Sequence, residues 1–249
     1  MGKSIQKFNY FVALISKHAL LILLSILAIF PLYWMLITSL KPEVDVYSSS
    51  LIPAHITFQN YTNAWHAIPM ARMLGNSLLV AIAQTVGQLL TSTLAAYAFA
   101  RWKFRGSNVI YGLIALTWLV PFQIIMIPNY VAISTFGWRD HLLGLIVPNL
   151  VSAFAVLQLY NAFKSYPYTL IEAARLDGTS DWGLLWRTII PNMKATIASV
   201  GILLFITSWN DYFWPLLVTT KLENSTIQRG LQMFISAEGN VWGALMAST

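Results

Sequence analysis

The sequence contains no cysteine and very few charged residues. Cysteine is absent from all 249 positions, which excludes disulfides, thiolate metal ligands and cysteine nucleophiles. Lysine, arginine, aspartate and glutamate make up 10% of the chain, whereas a soluble globular domain has about 25%. Together with a hydrophobic content of 57% and a mean hydropathy of +0.63, this shortage of charge predicts an integral membrane protein.

Motifs of the common enzyme classes are missing as well. The sequence has no G-x-x-x-x-G-K-[ST] phosphate loop, no G-x-S-x-G nucleophile motif and no H-E-x-x-H zinc motif. The histidines are scattered and never stand at metal-ligand spacing: His18, His55, His66 and His141. We therefore expect no catalytic residue, no metal site, no cofactor bound by this chain, and no enzyme.

Long charge-free stretches dominate what is present. They cover 19–40, 73–100, 106–138 and 142–163, and a fifth stretch, 195–220, contains Asp211 as its one charged residue. About 20 residues cross the hydrocarbon core of a bilayer. The sequence predicts an all-α, polytopic membrane helix bundle that forms a single domain over 1–249. Its expected spans are about 19–40, 75–100, 109–133, 142–163 and 195–219.

The basic residues indicate how these spans are oriented. With the N-terminus in the cytoplasm, the cytoplasmic segments 1–18, 101–108 and 164–194 carry ten lysines and arginines, Lys103 among them, and the outer segments carry five. This distribution follows the positive-inside rule, so the net charge of +6 reflects membrane topology rather than nucleic-acid binding. Residues 241–249 resemble either the start of a sixth span that is cut off or a short segment at the outer surface.

Several spans contain prolines and polar side chains. The prolines are expected to kink the helices, either for packing alone or because the bundle moves: Pro31, Pro121, Pro128, Pro148 and Pro215. The polar residues at depth either bond between helices or line a route for a polar solute: Gln84, Gln88, Gln123, Asn149, Gln158 and Asn210. A stripe of small residues in the second span is expected to let helices approach closely: Ala83, Gly87, Thr91 and Ala95.

The loop at 164–194 carries local signals for two short helices. Pro167 suits a first helical turn, the spacing of Thr169 and Glu172 predicts a capping box, and Gly178 is expected to end the helix. A second helix can begin at Thr179, Ser180 or Asp181, and its apolar residues follow helical spacing: Trp182, Leu185, Trp186 and Ile189. The pattern predicts a cytoplasmic helix–turn–helix.

Two roles are open for this loop. It could rest on lipid headgroups, or it could contact another protein. Ala173 and Ala174 leave a low surface, and charges of both signs surround it: Glu172, Arg175 and Asp177. Because a helix that lies on lipid usually has a basic polar face with few acids, this composition favours a protein partner.

The loop also resembles a known signature. Glu172-Ala173-Ala174, followed by Gly178 and Pro191, is similar to the EAA motif of binding-protein-dependent ABC transporter permeases. Residues 208–217 (SWNDYFWPLL), 75–81 (GNSLLVA) and 120–130 (VPFQIIMIPNY) resemble the carbohydrate-uptake, MalG-like branch of that family. The chain departs from it at 188–191, where Thr-Ile-Ile-Pro replaces Ile-x-Leu-Pro. The resemblance also implies six spans.

The resemblance implies a permease subunit of an ATP-driven sugar importer in a bacterial or archaeal cytoplasmic (inner) membrane. Such a subunit forms half of the translocation pathway beside a second, MalF-like permease, embedded in lipid. A MalK-like ATPase dimer binds ATP and Mg²⁺, and an extracytoplasmic binding protein delivers the solute. The motif implies that these residues couple to the ATPase: Glu172, Ala173, Ala174, Arg175, Asp177 and Gly178.

Candidate residues for the solute pathway lie in the third, fourth and fifth spans: Gln123, Asn149, Trp209, Asn210 and Tyr212. The aromatic residues among them could instead form an interfacial belt. Two other classes of function compete. A self-sufficient secondary carrier or channel for a small polar solute predicts intramembrane charges for ion coupling, of which Asp211 is the one example. A scaffold subunit would need neither kinks nor polar residues at depth.

Overall fold

Helices make up most of the structure, which confirms the expected all-α bundle. The computed structural model of the protein describes residues 2–102, 104–236 and 239–249, so Lys103 lies outside the described residues. The α-helices are, in chain order, α1 (Gly2–Ser39), α2 (Gln59–Ala67), α3 (Met70–Arg101), α4 (Ser107–Thr117), α5 (Phe122–Thr135), α6 (Leu142–Ile146), α7 (Ala153–Lys164), α8 (Tyr168–Leu176), α9 (Asp181–Gly183), α10 (Ile190–Asn192), α11 (Lys194–Trp209), α12 (Phe213–Val218), α13 (Ile227–Leu231) and α14 (Trp242–Ser248).

Shorter elements complete the description. A π-helical segment, Leu184–Ile189, joins α9 to α10, and 3₁₀ turns occur at Glu43–Asp45, Val147–Asn149, Leu222–Asn224 and Gln232–Phe234. Two strands of two residues each, β1 (Ile235–Ser236) and β2 (Gly239–Asn240), pair antiparallel, with Ile235 opposite Asn240. The chain divides into two compact units, residues 1–68 with 231–249, and residues 69–230.

The first unit is organised around the end of α1. The side-chain nitrogen of Asn60 donates to the carbonyls of Ser39 and Lys41, at 2.8 and 2.7 Å, and so attaches α2 to α1. Lys41 is buried, and its ammonium donates to the carbonyls of Ser48 and Ser50 at 3.0 and 2.8 Å. Because a buried ammonium needs hydrogen-bond acceptors, these carbonyls hold the 43–50 segment in place. Helix α14 packs on α1 and α2.

The second unit is a bundle in which α7 and α11 pack against the long helix α3. The core lies at the end of α3 that is nearest the 164–194 loop, and its most buried residues include Ala96, Leu159, Phe163, Leu184, Leu185 and Ile189. Gly87 stands directly against the side chain of Leu150, which would overlap a Cβ at this position. The predicted stripe of small residues therefore includes a site of close approach.

Two helices are long and apolar enough to cross a membrane by themselves. These are the Asn9–Ser39 part of α1 and the whole of α3. Three further pairs reach that length only as bent units: α4 with α5, at 95°; Leu142–Asn149 with α7, at 40°; and Asp181–Asn192 with α11, at 80°. The described residues thus supply two straight spans, and up to five if each bent pair counts as one. The number of spans and the cytoplasmic N-terminus stay predictions.

Asp140 links the connection between α5 and α6 to the end of α12. Its carboxylate accepts the backbone N–H groups of Thr220 and Lys221, at 2.6 and 2.9 Å, and the hydroxyl of Thr220. The backbone of Asp140 lies in the left-handed region, with φ of 58°, a conformation that aspartate tolerates better than most residues. One side chain therefore fixes two segments that are 80 positions apart in sequence.

Acidification is expected to weaken this link. The Thr220 hydroxyl, and after it the Lys221 N–H, lowers the pKa of Asp140 from 3.8 to about 2. Since the folded pKa lies below the unfolded one, the carboxylate contributes stability above about pH 4, and that contribution is lost as the pH falls toward 2. The thermal unfolding midpoint of the detergent-solubilised protein should fall over this window, and Asp140→Asn should reduce the fall. The control variant Asp45→Asn should show the same fall as the wild type. If Asp140→Asn and Asp45→Asn change the fall equally, the stabilising role given to the Asp140 carboxylate would be contradicted.

Candidate functional site

The first helix of the 164–194 loop begins earlier than the capping box requires. Pro167 occupies the N-cap position of α8 with φ of −55°, and no side chain caps the helix. Thr169 is therefore already inside the first turn, and the predicted capping box of Thr169 and Glu172 is wrong. The fixed φ of proline starts the helix at Tyr168. As a result, Glu172 lies exposed on the surface of α8.

The turn after α8 confirms the role expected for Gly178. Its φ is 77°, in the left-handed region that glycine adopts without steric cost. The N–H of Thr179 donates to the carbonyl of Ala174 at 3.0 Å, and that of Gly178 donates to Arg175, also at 3.0 Å. This pair of bonds is a Schellman motif, which satisfies the last carbonyls of a helix. The chain therefore reverses at a defined angle.

The second helix of the loop begins where the sequence predicted but exposes a different face. Ser180 is the N-cap, and its side chain accepts the N–H of Gly183 at 3.2 Å. The residues from 184 to 189 form a π-helix, which has more residues per turn than an α-helix. The expected apolar face of Trp182, Leu185, Trp186 and Ile189 is therefore wrong. Leu184, Leu185 and Ile189 are buried, whereas Trp182 and Trp186 are exposed.

Helix α3 is bonded to the loop on both sides of α8. The hydroxyl of Tyr97 donates to the carbonyl of Asp181 at 3.1 Å, and the guanidinium of Arg101 donates to the carbonyls of Phe163 and Tyr166. Ile171 of α8 is buried in the same core. Because the loop is bonded to a 32-residue helix, a displacement of the loop must be accompanied by movement or strain of α3.

Arg175 and Asp181 form an ion pair across the turn. Their side chains approach to 3.1 Å, and both are about half exposed. An exposed pair contributes at most about 1 kcal/mol, so this pair adjusts the angle between the two helices rather than determining it. The principal restraints on the turn are the conformation of Gly178 and the buried side chains on either side.

The outer side of α8 presents a mixed polar and apolar surface, which we call the α8 surface. It consists of Glu172, Ala173, Leu176, Asp177 and Gly178, all exposed. Leu176 has 88% of its surface exposed, as much as Val44 and more than any other large hydrophobic residue that the structure describes. Sequence reasoning missed this residue, although its spacing of four from Glu172 places both on one side of the helix. Of the predicted coupling residues, Ala174 points inward and packs on the core, and Arg175 faces Asp181.

A cavity lies between α3, the α6–α7 break and the α11–α12 break. Its volume is about 330 Å³, and its polar lining residues are Gln84, Gln88, Asn149, Thr207, Ser208 and Asp211. Phe122 and Phe213 line the same cavity. Polar residues from the second, fourth and fifth apolar stretches therefore line one cavity. The sequence did not predict this grouping, because the residues are far apart along the chain.

Polar side chains satisfy the backbone where Pro148 breaks the helix. Because proline has no N–H, the carbonyl of Gly144 loses its partner four residues later; the indole N–H of Trp214 donates to it at 3.0 Å. The amide of Gln84 donates to Leu145 at 2.9 Å, and that of Gln88 donates to Asn149 at 2.6 Å. The break is therefore a stable feature of the bundle.

The predicted pathway residues separate into two groups. Asn149 lines the cavity. Asn210 lies at the C-cap of α11, and its amide donates to the carbonyl of Ile206 at 2.9 Å. Trp209 stacks on Phe205, and Tyr212 is the N-cap of α12. Gln123 is exposed at the start of α5. The lining described above includes none of these last four.

Comparison with known protein families identifies the chain. Residues 88–248 match the model of a family described as the binding-protein-dependent transport system inner membrane component. The chain belongs to this family. The matched region contains the 164–194 loop, the cavity-forming parts of α6, α7, α11 and α12, and Gln88 of α3, so both candidate sites lie mainly within the family domain.

Curated relatives resemble the chain over most of its length. The sn-glycerol-3-phosphate transport system permease protein UgpE of Yersinia enterocolitica is 32% identical over 93% of this chain and 86% of its own. The diacetylchitobiose uptake system permease protein NgcG of Streptomyces coelicolor is 30% identical over 93% and 78%. The lactose transport system permease protein LacG of Rhizobium radiobacter is 28% identical over 94% and 86%.

A solved structure shares the fold. A bacterial ABC transporter involved in the import of the acidic polysaccharide alginate has a chain with a TM-score of 0.81 and 25% identity, covering 94% of this chain and 89% of that one. The resemblance to ABC import permeases is thereby confirmed: this chain is a permease component of such an importer. A self-sufficient carrier or channel is not favoured.

Proposed function

We propose that this permease forms half of the translocation pathway of an ATP-driven sugar importer and receives force through the 164–194 loop. Two features support this proposal. The relatives are named for the transport of sn-glycerol-3-phosphate, diacetylchitobiose and lactose. The loop, in addition, has an exposed outer surface on α8 and is bonded on its inner side to α3. The proposal depends mainly on the loop, because its exposed surface and its bonds to α3 are features of this chain itself.

The coupling role is assigned to the α8 surface and the turn behind it. Glu172 and Asp177 provide negative charge, Ala173 allows close approach, and Leu176 provides an apolar contact. Gly178 sets the angle between the helices, the Arg175–Asp181 pair adjusts it, and Ala174 packs α8 on the core. A partner that binds here would pull on Tyr97 and Arg101 of α3 through the bonds that flank α8.

The free energy needed to switch the permease between two conformations indicates an external source of energy. Converting a two-state equilibrium from 1:99 to 99:1 requires about 5.5 kcal/mol of differential binding. An individual hydrogen bond within the loop contributes only about 1 kcal/mol, and the sequence has no phosphate-binding loop. The proposal therefore assigns ATP and Mg²⁺ to a separate MalK-like ATPase dimer, and no catalysis to this chain.

The remaining partners follow from the family. A second, MalF-like permease would complete the pathway, an extracytoplasmic binding protein would deliver the solute, and lipid of the inner (cytoplasmic) membrane would surround the bundle. Asn149 is the pathway candidate that lines the cavity. Gln123, Trp209, Asn210 and Tyr212 stay candidates for contact with solute or with the second permease.

Replacing Leu176 by serine is expected to weaken binding of the ATPase about 30-fold. Truncating an apolar anchor at the centre of an interface costs about 2 kcal/mol or more, and Leu176 is 88% exposed, so the change should leave the fold intact. The measurement is titration of the purified ATPase onto the permease in mild detergent, combined with copurification from cells.

Leu51→Ser is the matched control. Leu51 is also exposed, at 52%, but it lies between α1 and α2, outside the 164–194 loop. We expect it to retain normal ATPase binding. Equal ATPase affinities of the wild type and Leu176→Ser would contradict the role given to the α8 surface. If no nucleotide-binding protein copurifies with the wild type, the proposed function itself would be contradicted.

A further inference from the structure

Each amide nitrogen that lines the 330 Å³ cavity already donates one of its two N–H groups to the protein, and both lining hydroxyls donate to protein acceptors. The amide nitrogens of Gln84, Gln88 and Asn149 donate to backbone carbonyls. The hydroxyl of Thr207 donates to Leu203, and that of Ser208 donates to Gln84. Because carbonyl partners can only accept, these contacts also fix which end of each amide is the nitrogen.

The acceptors retain more free capacity than the donors. Within the described residues, no donor reaches the amide oxygens of Gln88 and Asn149. Asp211 accepts the backbone N–H of Trp214 at 3.3 Å, and an ionised carboxylate has about four acceptor positions. A molecule in the cavity therefore meets oxygen atoms that require hydrogen-bond donors.

The charge of the cavity has one sign. Asp211 is the one charged residue among those described as lining it, and neither lysine nor arginine contributes. Anionic groups such as phosphates and carboxylates are normally bound by arginine or lysine, and neither residue type is among those described as lining the cavity. An anionic solute would face repulsion by Asp211 with no cation to offset it.

Aromatic surface completes the chemistry. Phe122 and Phe213 line the cavity with their rings nearly perpendicular, at 84°, and 6.5 Å apart. Ring faces and edges offer apolar surface to C–H groups, while the nearby oxygens can accept hydroxyl protons. Uncharged polyhydroxyl compounds carry both kinds of group.

We propose that this cavity is a solute subsite for uncharged polyhydroxyl compounds, and that Asp211 makes it discriminate against anionic ones. The proposal rests on the proposed transport function and narrows its substrate class. The named relatives do not decide the question, because they include transporters of sn-glycerol-3-phosphate and alginate as well as of lactose and diacetylchitobiose. Asp211 is the specificity-determining residue.

The absence of cysteine allows a direct test with a single thiol. Thr207→Cys places a thiol at the exposed side of the cavity, and its reaction with cationic and anionic methanethiosulfonates is followed by the mass of the full chain in mild detergent. Asp211→Asn, which keeps an acceptor for the Trp214 N–H, is expected to lower the cation-to-anion rate ratio about fivefold or more. The same substitution should leave the ratio at Ser165→Cys, outside the cavity, unchanged.

Protection against labelling identifies the ligand class. A neutral panel of lactose, maltose and glycerol is expected to include at least one compound that slows labelling of Thr207→Cys about threefold or more at millimolar concentration, whereas sn-glycerol-3-phosphate should not. An unchanged rate ratio in Asp211→Asn, no protection by any neutral compound, or equal protection by sn-glycerol-3-phosphate would each overturn the proposal. Labelling needs neither ATP nor a partner protein. A failure to bind the ATPase would therefore contradict the proposed function without changing the labelling rates that test the subsite.

Discussion

Replacing Gly178 by proline is expected to reduce ATP-coupled uptake at least tenfold at normal expression. Proline holds φ near −65°, whereas Gly178 has φ of 77°, so the turn cannot keep its present form. The substitution also removes the N–H that donates to Arg175 at 3.0 Å. The helix that begins at Ser180 would then leave α8 at a different angle, and the α8 surface would lose its position relative to α3.

The end of α5 provides a closely matched control. Gly137 has φ of 70°, and it ends its helix with the same pair of bonds: its N–H donates to Ser134 at 3.1 Å, and that of Trp138 donates to Ile133 at 2.9 Å. Proline at this position imposes the same local cost outside the 164–194 loop. We expect Gly137→Pro to lower thermal stability similarly but to retain the affinity of the permease for the ATPase.

Three measurements on these variants separate coupling from folding. They are the unfolding midpoint, the affinity for the ATPase and solute uptake in proteoliposomes. If force passes through the loop, Gly178→Pro should lose more ATPase affinity and more solute uptake than Gly137→Pro, although the two variants lose similar thermal stability. Full uptake by this variant, or identical losses in the two proline variants, would argue against the loop as the route of force.

The sequence was informative where the determinants of structure are local. The Schellman turn at Gly178 and the cap at Ser180 were predictable because each depends on a few neighbouring residues. The capping box at Thr169 failed for a local reason as well, since Pro167 supplied a competing start for the helix. The π-helical segment changed which side of 182–189 is buried, and no feature of its sequence distinguishes it from an α-helix.

The cavity was not predictable, because contacts between distant segments create it. Ser208 bonds to Gln84 across 124 positions, and Gln88 bonds to the backbone of Asn149 across 61. Sequence reasoning marked Gln84, Gln88 and Asn149 as polar residues at depth but could not decide between interhelical bonding and a solute route. The structure shows the interhelical bonding, through the amide nitrogens of Gln84 and Gln88. The amide oxygens of Gln88 and Asn149 have no protein donor within the described residues, and the solute route stays a prediction.

Replacing Trp214 by phenylalanine is expected to destabilise the bundle by about 1–3 kcal/mol, the cost of leaving a buried polar group without its partner. Trp214 is 1% exposed, and its indole N–H serves the Gly144 carbonyl that Pro148 leaves without a helical donor. Thermal unfolding in detergent provides the measurement. Trp182→Phe, at a side chain 63% exposed, should change the midpoint little.

A double-mutant cycle with Pro148→Ala tests the cause. Alanine restores an N–H four residues after Gly144, so the carbonyl can regain a helical partner and the indole becomes partly redundant. Trp214→Phe should therefore cost less in the Pro148→Ala background than in the wild type, with a coupling energy of about 0.5–3 kcal/mol. Strictly additive effects would mean that Trp214 stabilises the fold through ring packing alone. A clear coupling would mean that the broken helix beside the cavity depends on a side chain that replaces the missing backbone donor, and that the break is built into the bundle.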